Sequence, residues 1–271
     1  MGQGYDERRS KNGTWISIDM KNVYFISDAH LGSLAIRHRR QQERRLVRFL
    51  DEIKDKAGAI YLLGDMFDFW FEYQTVVPKG FTRFLGKLSE LTDMHIEVHY
   101  FTGNHDIWCL NYLERECGVI LHRNPLTLEI GDQTFYLAHG DGLGDTDKKF
   151  QFIRSIFHNK FCQWAFRWLH PDLGVRFGLN WAKRSRIDHS EEAPYQGEDK
   201  EPLVIYAKQY LKEHPGVDYF IFGHRHIELD LALSHQTRVI ILGDWIKQFT
   251  YAVYNGEQLY FENYTEGEGS R

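Results

Sequence analysis

Short apolar runs that stop abruptly at polar clusters recur along this chain. Residues 23–26 lead into Ser27-Asp28-Ala29-His30, residues 59–63 into Gly64-Asp65, and residues 96–101 into Gly103-Asn104-His105-Asp106. Further on, residues 134–138 lead into His139-Gly140-Asp141, 219–222 into Gly223-His224-Arg225-His226, and 239–242 into Gly243-Asp244. Runs this short and this apolar predict strands buried on both faces. Between them the spacing becomes helical. Leu46, Val47, Phe49, Leu50 and Ile53 predict a helix over 41–56, and residues 81–91 and 204–212 read the same way. Strand and helix in alternation predict an α/β architecture. The polar clusters then fall at the carboxyl ends of strands, where open α/β sheets assemble ligand sites.

One segment breaks this rhythm. The chain between His139 and His224 is far longer than a strand connection needs. Residues 148–186 hold nine Lys or Arg against one acid, Asp172, together with nine Phe or Trp. Ile153, Phe157, Phe161, Trp164 and Trp168 fall on one helical face. Pro171 and Gly174 are expected to end that helix, with a second short helix through Phe177 and Trp181 and a loop over 188–202. The segment reads as a helical, basic and aromatic cap insert at about 145–200 within a domain over 20–265. Residues 1–19 and 266–271 are expected to be a flexible extension and tail. The cap is a greasy groove for acyl chains with cations for a diphosphate or an anionic membrane, or a nucleic-acid groove, or simply a packed hairpin.

Composition narrows the function classes. A net charge of −5 argues against a general polyanion binder. Three cysteines, with no C-x-x-C spacing, argue against a disulfide framework or a structural zinc knot and suit a reducing compartment. No run of apolar residues reaches membrane-spanning length, and the first residues lack a signal-peptide core.

The clusters carry the chemistry. Asp28-x-His30 sets two donors on one side of an extended segment, and His224-x-His226 repeats that geometry with two imidazoles. Asp65 adds a carboxylate able to bridge two ions, Asn104 a carbonyl oxygen and His139 an imidazole. Oxygen and imidazole donors without thiolate suit Mn, Fe, Zn or Co, with Mn²⁺ expected. Two such ions acidify water and clamp phosphoryl oxygens for in-line attack. Asp141 and Asp244 read as turn or supporting carboxylates rather than ligands. His38, His95, His99, His122, His158, His170, His189, His214 and His235 read as surface or core histidines.

The ordered set Asp28-x-His30, Gly64-Asp65, Gly103-Asn104-His105-Asp106, His139-Gly140-Asp141 and Gly223-His224-x-His226 resembles the calcineurin-like metallophosphoesterases over about residues 22–245. The resemblance implies two mixed β-sheets in a sandwich flanked by helices. It assigns Asp28, His30, Asp65 and His226 to one metal ion, and Asp65, Asn104, His139 and His224 to the other. It makes His105 a phosphate contact that protonates the leaving group, and Asp106 the partner that orients its imidazole. His139-Gly140-Asp141 followed by Asp147, Phe150-Gln151 and Arg154, the basic insert, and Leu242-Gly243-x-Trp245 are similar to a narrower group, the UDP-2,3-diacylglucosamine pyrophosphatases of lipid A synthesis. That likeness implies attack of water on the α-phosphate, releasing UMP and 2,3-diacylglucosamine 1-phosphate. It implies substrate contacts from His105, Phe150, Arg154, Trp164 and Ser185, and a cytoplasmic enzyme peripheral to the inner membrane. The expected partner is a nucleotide-linked glycolipid, with no nucleic acid and no obligate protein. His105 stands where the best-known members of that group have arginine. A soluble phosphodiesterase or nuclease with the same metals, and a non-catalytic scaffold, are the alternatives.

Overall fold

In a computed structural model of the protein, the described residues are 5–9, 15–19, 21–144, 148–188 and 194–265, with side chains described over 21–144, 151–184 and 194–265. Within the expected N-terminal extension, Tyr5–Arg9 (β1) and Trp15–Asp19 (β2) pair as an antiparallel ribbon. The expected tail at 266–271 lies outside the described residues.

All six apolar runs form strands: Asn22–Ile26 (β3), Ala57–Leu63 (β4), Glu97–Phe101 (β5), Gln133–Ala138 (β8), Tyr219–Phe222 (β9) and Arg238–Leu242 (β11). Each has two buried faces because it lies between two layers. Val23 and Phe25 of β3 point into the space between the sheets, while Tyr24 and Ile26 pack toward the helices outside. Likewise Ile240 and Leu242 of β11 face the inter-sheet core and Val239 and Ile241 the outer layer. This explains uniformly apolar runs without alternation.

Five further strands complete two mixed sheets, and two short helices lie outside them. They are Ile120–His122 (β6), Leu126–Ile130 (β7), Glu228–Ala232 (β10), Thr250–Tyr254 (β12) and Leu259–Asn263 (β13), with the short helix Tyr112–Cys117 (α3) and the cap helix Lys160–Phe166 (α5). One sheet has the order β13-β12-β3-β4-β5-β6, the other β10-β11-β9-β8-β7. In the first, β3 to β6 run parallel and β12 is antiparallel to both neighbours. The helices Arg39–Ile53 (α1) and Thr82–Asp93 (α2) cover the first sheet through Leu46, Phe49, Leu50, Phe84 and Leu88; Pro202–Glu213 (α7) covers the second through Leu203, Val204 and Ala207. The two-sheet α/β sandwich is the architecture expected.

The cap differs in its helix boundaries. Its three helices are Lys148–His158 (α4), α5 and Pro171–Asp188 (α6). The expected single face from Ile153 to Trp168 is cut at Asn159, whose side chain accepts hydrogen bonds from the N–H groups of Phe161 and Cys162 and so starts a new helix. Pro171 begins α6, where its missing N–H costs nothing. Gly174 lies inside that helix rather than ending it. A Cβ at Gly174 would strike the Tyr73 hydroxyl, and one at Gly178 the Phe69 ring. The glycines therefore let α6 settle on the aromatic cluster of Phe69, Phe71, Tyr73 and Trp108. Trp108 Nε1 donates to the Phe157 carbonyl at 2.9 Å, tying α4 to the body.

Candidate metal centre and substrate cavity

The loops that follow β3, β4, β5, β8, β9 and β11 meet at one end of the sandwich. Backbone bonds hold them in register: Asp28 N to Gly64 O (3.1 Å), His30 N to Asp65 O (2.8 Å), Trp245 N to Asp28 O (3.0 Å) and Gly223 N to His139 O (2.9 Å). Gly223 has no alternative residue at this spacing, since a Cβ there would meet Ser27 Oγ and Asp28 Oδ2. Asp28, His30, Asp65, His224 and His226 all have φ between 44° and 68°. Non-glycine residues rarely adopt this left-handed conformation, and where they do the surroundings must enforce it, commonly at functional sites.

These loops form two groups of donors. In the first, Asp28 Oδ1 lies 3.7 Å from His30 Nε2 and 3.5 Å from His226 Nε2, and the two imidazole nitrogens are 3.1 Å apart. In the second, His139 Nε2 lies 3.1 Å from Asn104 Oδ1 and 3.4 Å from Asp65 Oδ2, with His224 completing the group. Asp65 Oδ2 also lies 3.7 Å from His30 Nε2, so this one oxygen faces both groups. All seven residues expected as ligands are brought together.

The donors fit divalent cations. Ligands about 2.1 Å from one ion sit roughly 3.0–3.4 Å apart in octahedral or tetrahedral arrangement, close to the separations here. Asp28 Oδ2 accepts from Ser27 Oγ and His224 N, whereas Oδ1, fully buried, has no hydrogen-bond partner and faces the two imidazoles. His139 Nδ1 is 2.8 Å from the Leu63 carbonyl, which fixes the ring so that Nε2 presents its lone pair. Asp244 Oδ2 supports His226 at Nδ1 (3.5 Å), and its Oδ1 accepts from the N–H groups of Ile246, Lys247 and Gln248. Asp244 is thus the supporting turn carboxylate expected.

Proton affinities show the same demand for positive charge. Burial pushes the Asp28 carboxyl up, against the pull of His226 and His139. Burial would raise Asp65 too, but His139, His105 and His30 outweigh it and hold Asp65 well below the usual range. Burial opposes charging of His139, yet Asp65, Asp28 and Asp141 hold its pKa well above that of a free imidazole.

Two expectations need correction. Asp106 does not orient the His105 ring. Its Oδ1 accepts from Gly103 N (2.7 Å), and its Oδ2 from Met66 N (2.9 Å) and the Tyr100 hydroxyl (2.5 Å), so it fastens the loops after β4 and β5 to each other. Burial, then the Asp65 charge, pushes its carboxyl up to about 6. His105 is held instead by Asp68: its Nδ1 is 2.9 Å from the Asp68 carbonyl. The Asp68 carboxylate, also 3.4 Å from His30 Nδ1, was missed by the sequence reading; the carboxylate three positions after Asp65 was its signal. The second correction concerns Trp164. It is 54 % exposed beside Phe161 and Trp168 and does not line the cavity next to the donors.

The apolar pocket next to the donors uses other residues. A cavity of about 180 Å³ is lined by Asp68, Asn104, His105 and Arg154 on its polar side and by Phe69, Ile107, Trp108, Ile153, Phe157, Phe177, Trp181 and Ala182 elsewhere. Arg154 Nε donates to Asp141 Oδ2 at 2.8 Å, which presents its guanidinium at the cavity edge. The side chains of Phe150 and Ser185 lie outside the described residues.

The profile of the calcineurin-like phosphoesterase family matches residues 21–228, a span that carries every donor described above. The chain belongs to the calcineurin-like phosphoesterases. It is therefore a metal-dependent hydrolase, and the oxygen and imidazole donors suit divalent ions. A UDP-2,3-diacylglucosamine hydrolase of Porphyromonas gingivalis is 41 % identical over 258 residues, 91 % of this chain and 98 % of that one. Proteins of the same name from Edwardsiella ictaluri (30 %, covering 74 % of each chain) and Aeromonas salmonicida (29 %, covering 88 % and 91 %) are also similar.

Proposed function

We propose that the chain hydrolyses the diphosphate of UDP-2,3-diacylglucosamine, giving UMP and 2,3-diacylglucosamine 1-phosphate. The observation that carries this reading is the apolar cavity beginning at Asn104, His105 and Arg154 and running under the cap. A phosphodiesterase for small polar substrates has no use for eight apolar side chains beside its reacting groups. Similarity at 41 % over nearly the whole of both chains supports it.

In this reading Asp28, His30, Asp65 and His226 would hold one divalent ion, and Asp65, Asn104, His139 and His224 a second, Mn²⁺ by donor type. Bound ions supply an acidified water and charge compensation for the phosphoryl oxygens. Arg154, braced by Asp141, holds the diphosphate. His105, with Nδ1 committed to Asp68, offers Nε2 to a phosphate oxygen and to the leaving group. Acyl chains lie against Phe157, Phe177 and Trp181. The outer face of the cap, where Phe152, Phe161, Trp164, Trp168, Leu169 and Leu173 are exposed among arginines and lysines, rests on the inner membrane. Among the described residues no helix is long and apolar enough to cross a membrane.

The test is hydrolysis of UDP-2,3-diacylglucosamine with Mn²⁺, compared with a cyclic nucleotide and an aryl phosphodiester. UMP and the acylated sugar phosphate are the expected products. Turnover of the small esters alone, without UMP from the glycolipid, would reject the proposal.

A further inference from the structure

In the reading above, the apolar cavity takes the acylated end of the substrate; the other end is a nucleoside. A second, smaller cavity shares Arg154 with the apolar one and, among the described residues, nothing else. Its wall includes Phe101, His122, Asn124 and His139. Both cavities lie against the same group of donors. Asn104 lines the apolar one and His139 the other, and Asn104 Oδ1 is 3.1 Å from His139 Nε2. A diphosphate held by Arg154 and these loops therefore has a cavity within reach at either end.

The second cavity has a hydrogen-bonding sense built into its wall. His99 of β5 and His122 of the edge strand β6, which read from sequence as surface or core histidines, form a chain with Glu97. His99 Nε2 is 3.3 Å from Glu97 Oε2, and His99 Nδ1 is 2.9 Å from His122 Nε2. Burial holds His99 below the ordinary imidazole range, with Glu97 offsetting only part of it. Burial, then the neighbouring His99, does the same at His122. At neutral pH each ring therefore carries one proton. A carboxylate only accepts, so His99 donates from Nε2 and keeps a lone pair on Nδ1. His122 must then donate from Nε2, which leaves its own Nδ1 as an acceptor. The half-buried His122 ring also stacks on Phe101, centroids 4.6 Å apart, and is held in plane. Glu97 thus sets, through His99, the tautomer of a ring that lines the cavity.

We infer that this cavity binds the uracil base of the substrate, with His122 Nδ1 accepting a hydrogen bond from the imide N3–H. Uracil has a donor at N3 where cytosine has an acceptor. Against cytosine, His122 would set lone pair against lone pair, so the same atom that attracts one pyrimidine repels the other. The Asn124 carboxamide in the same wall supplies an N–H for the carbonyl oxygen beside N3. The inference rests on the nucleotide-sugar reading above and adds to it the residue that selects the base.

The test is calorimetric binding of UMP, CMP and 3-methyl-UMP to the Mn²⁺-loaded protein. All three carry the same ribose phosphate, so contributions from the metal-binding loops and Arg154 cancel and the ratio of affinities reports the base. One neutral hydrogen bond, made to UMP and replaced by an unpaired acceptor with the others, should favour UMP by about tenfold over CMP and over 3-methyl-UMP. His122→Phe keeps a flat ring against Phe101 but has no acceptor, so its three affinities should become about equal. Equal binding of the three nucleotides by wild type, a comparison that needs no variant to fold, would overturn the inference. So would a uniform weakening in His122→Phe that leaves the ratio intact, since that is the mark of a structural histidine. The two readings fail separately. Selective UMP binding without cleavage of the glycolipid would keep the base site and remove the substrate reading. Cleavage of the glycolipid with UMP and CMP bound alike would do the reverse.

Discussion

Replacing Trp181 with alanine should separate recognition of an acylated substrate from the chemistry at the metal-binding loops. Trp181 lines the cavity and is 42 % exposed. A tryptophan offers at most about 250 Å² of surface, which leaves about 100 Å² for a ligand to cover. At about 25 cal/mol per Å² that is roughly 2.5 kcal/mol, of which alanine keeps a small part. A loss of about 2 kcal/mol corresponds to KM for the diacylated nucleotide sugar rising some thirtyfold, with kcat little changed. An aryl phosphodiester carries no acyl chain, so its kcat/KM should stay within twofold or so of wild type. The Trp181 ring packs edge-on to Phe157 (6.0 Å) and near Phe177 (6.2 Å), both within the cap. Its loss should therefore lower Tm by no more than about 4 °C. Steady-state kinetics on both substrates and a thermal melt are sufficient. A parallel fall on both substrates with a large drop in Tm would show Trp181 to be a folding residue. An unchanged KM for the diacylated substrate would show that acyl chains lie elsewhere.

Four other changes test separate parts of the site. Asp65→Ala removes the oxygen that faces both donor groups; if ten or more kcal/mol of binding is shared by four donors, each is worth about 3 kcal/mol, or roughly a hundredfold in affinity. Elemental analysis should find at least one ion lost and activity nearly abolished, and a variant keeping two ions and a rate within about tenfold would remove Asp65 from the bridge. His105→Ala should lower kcat by about 10²–10⁴ with metal content intact, and metal loss would make it a ligand instead. Asp106→Ala deprives Gly103 N, Met66 N and the Tyr100 hydroxyl of a buried acceptor, so a loss of about 3 kcal/mol or more is expected; a normal melt with a lowered kcat would restore its orienting role. Because the carboxylates hold the His139 proton tightly, a metal ion must displace it, and metal affinity should rise with pH until that raised pKa is passed; calorimetry in buffers of different ionisation enthalpy should detect proton release, and pH-independent affinity would refute this.

Much of this was legible in sequence order. Apolar runs that end in polar clusters are strands whose loops share one end of a sheet, so donors distant in sequence could be grouped before any coordinates. Edge strands were harder. β7 and β10 alternate half-buried and exposed residues, and such weak patterns resemble loops. The cap failed for a different reason. Helical spacing continues through Asn159, and only the capping bonds to Phe161 and Cys162 reveal that the chain starts again there. Asp106 and Asp68 show the limit of adjacency: the residue next to His105 in the chain points to another loop, while its actual support comes from 37 positions away. Partners of that kind are set by strand order, which no local spacing encodes.

The left-handed backbone at Asp28, His30, Asp65, His224 and His226 has an evolutionary consequence. Glycine and asparagine tolerate that conformation better than almost any other residue, yet glycine brings no ligand atom and asparagine brings neither the charge of a carboxylate nor an imidazole nitrogen. As long as catalysis is selected, these five positions must keep a conformation that costs folding energy. A lineage released from that selection would gain stability by drifting toward Gly and Asn at the same five places. Its fold would outlast its chemistry, and its sequence would record the loss first in those turns rather than in the core.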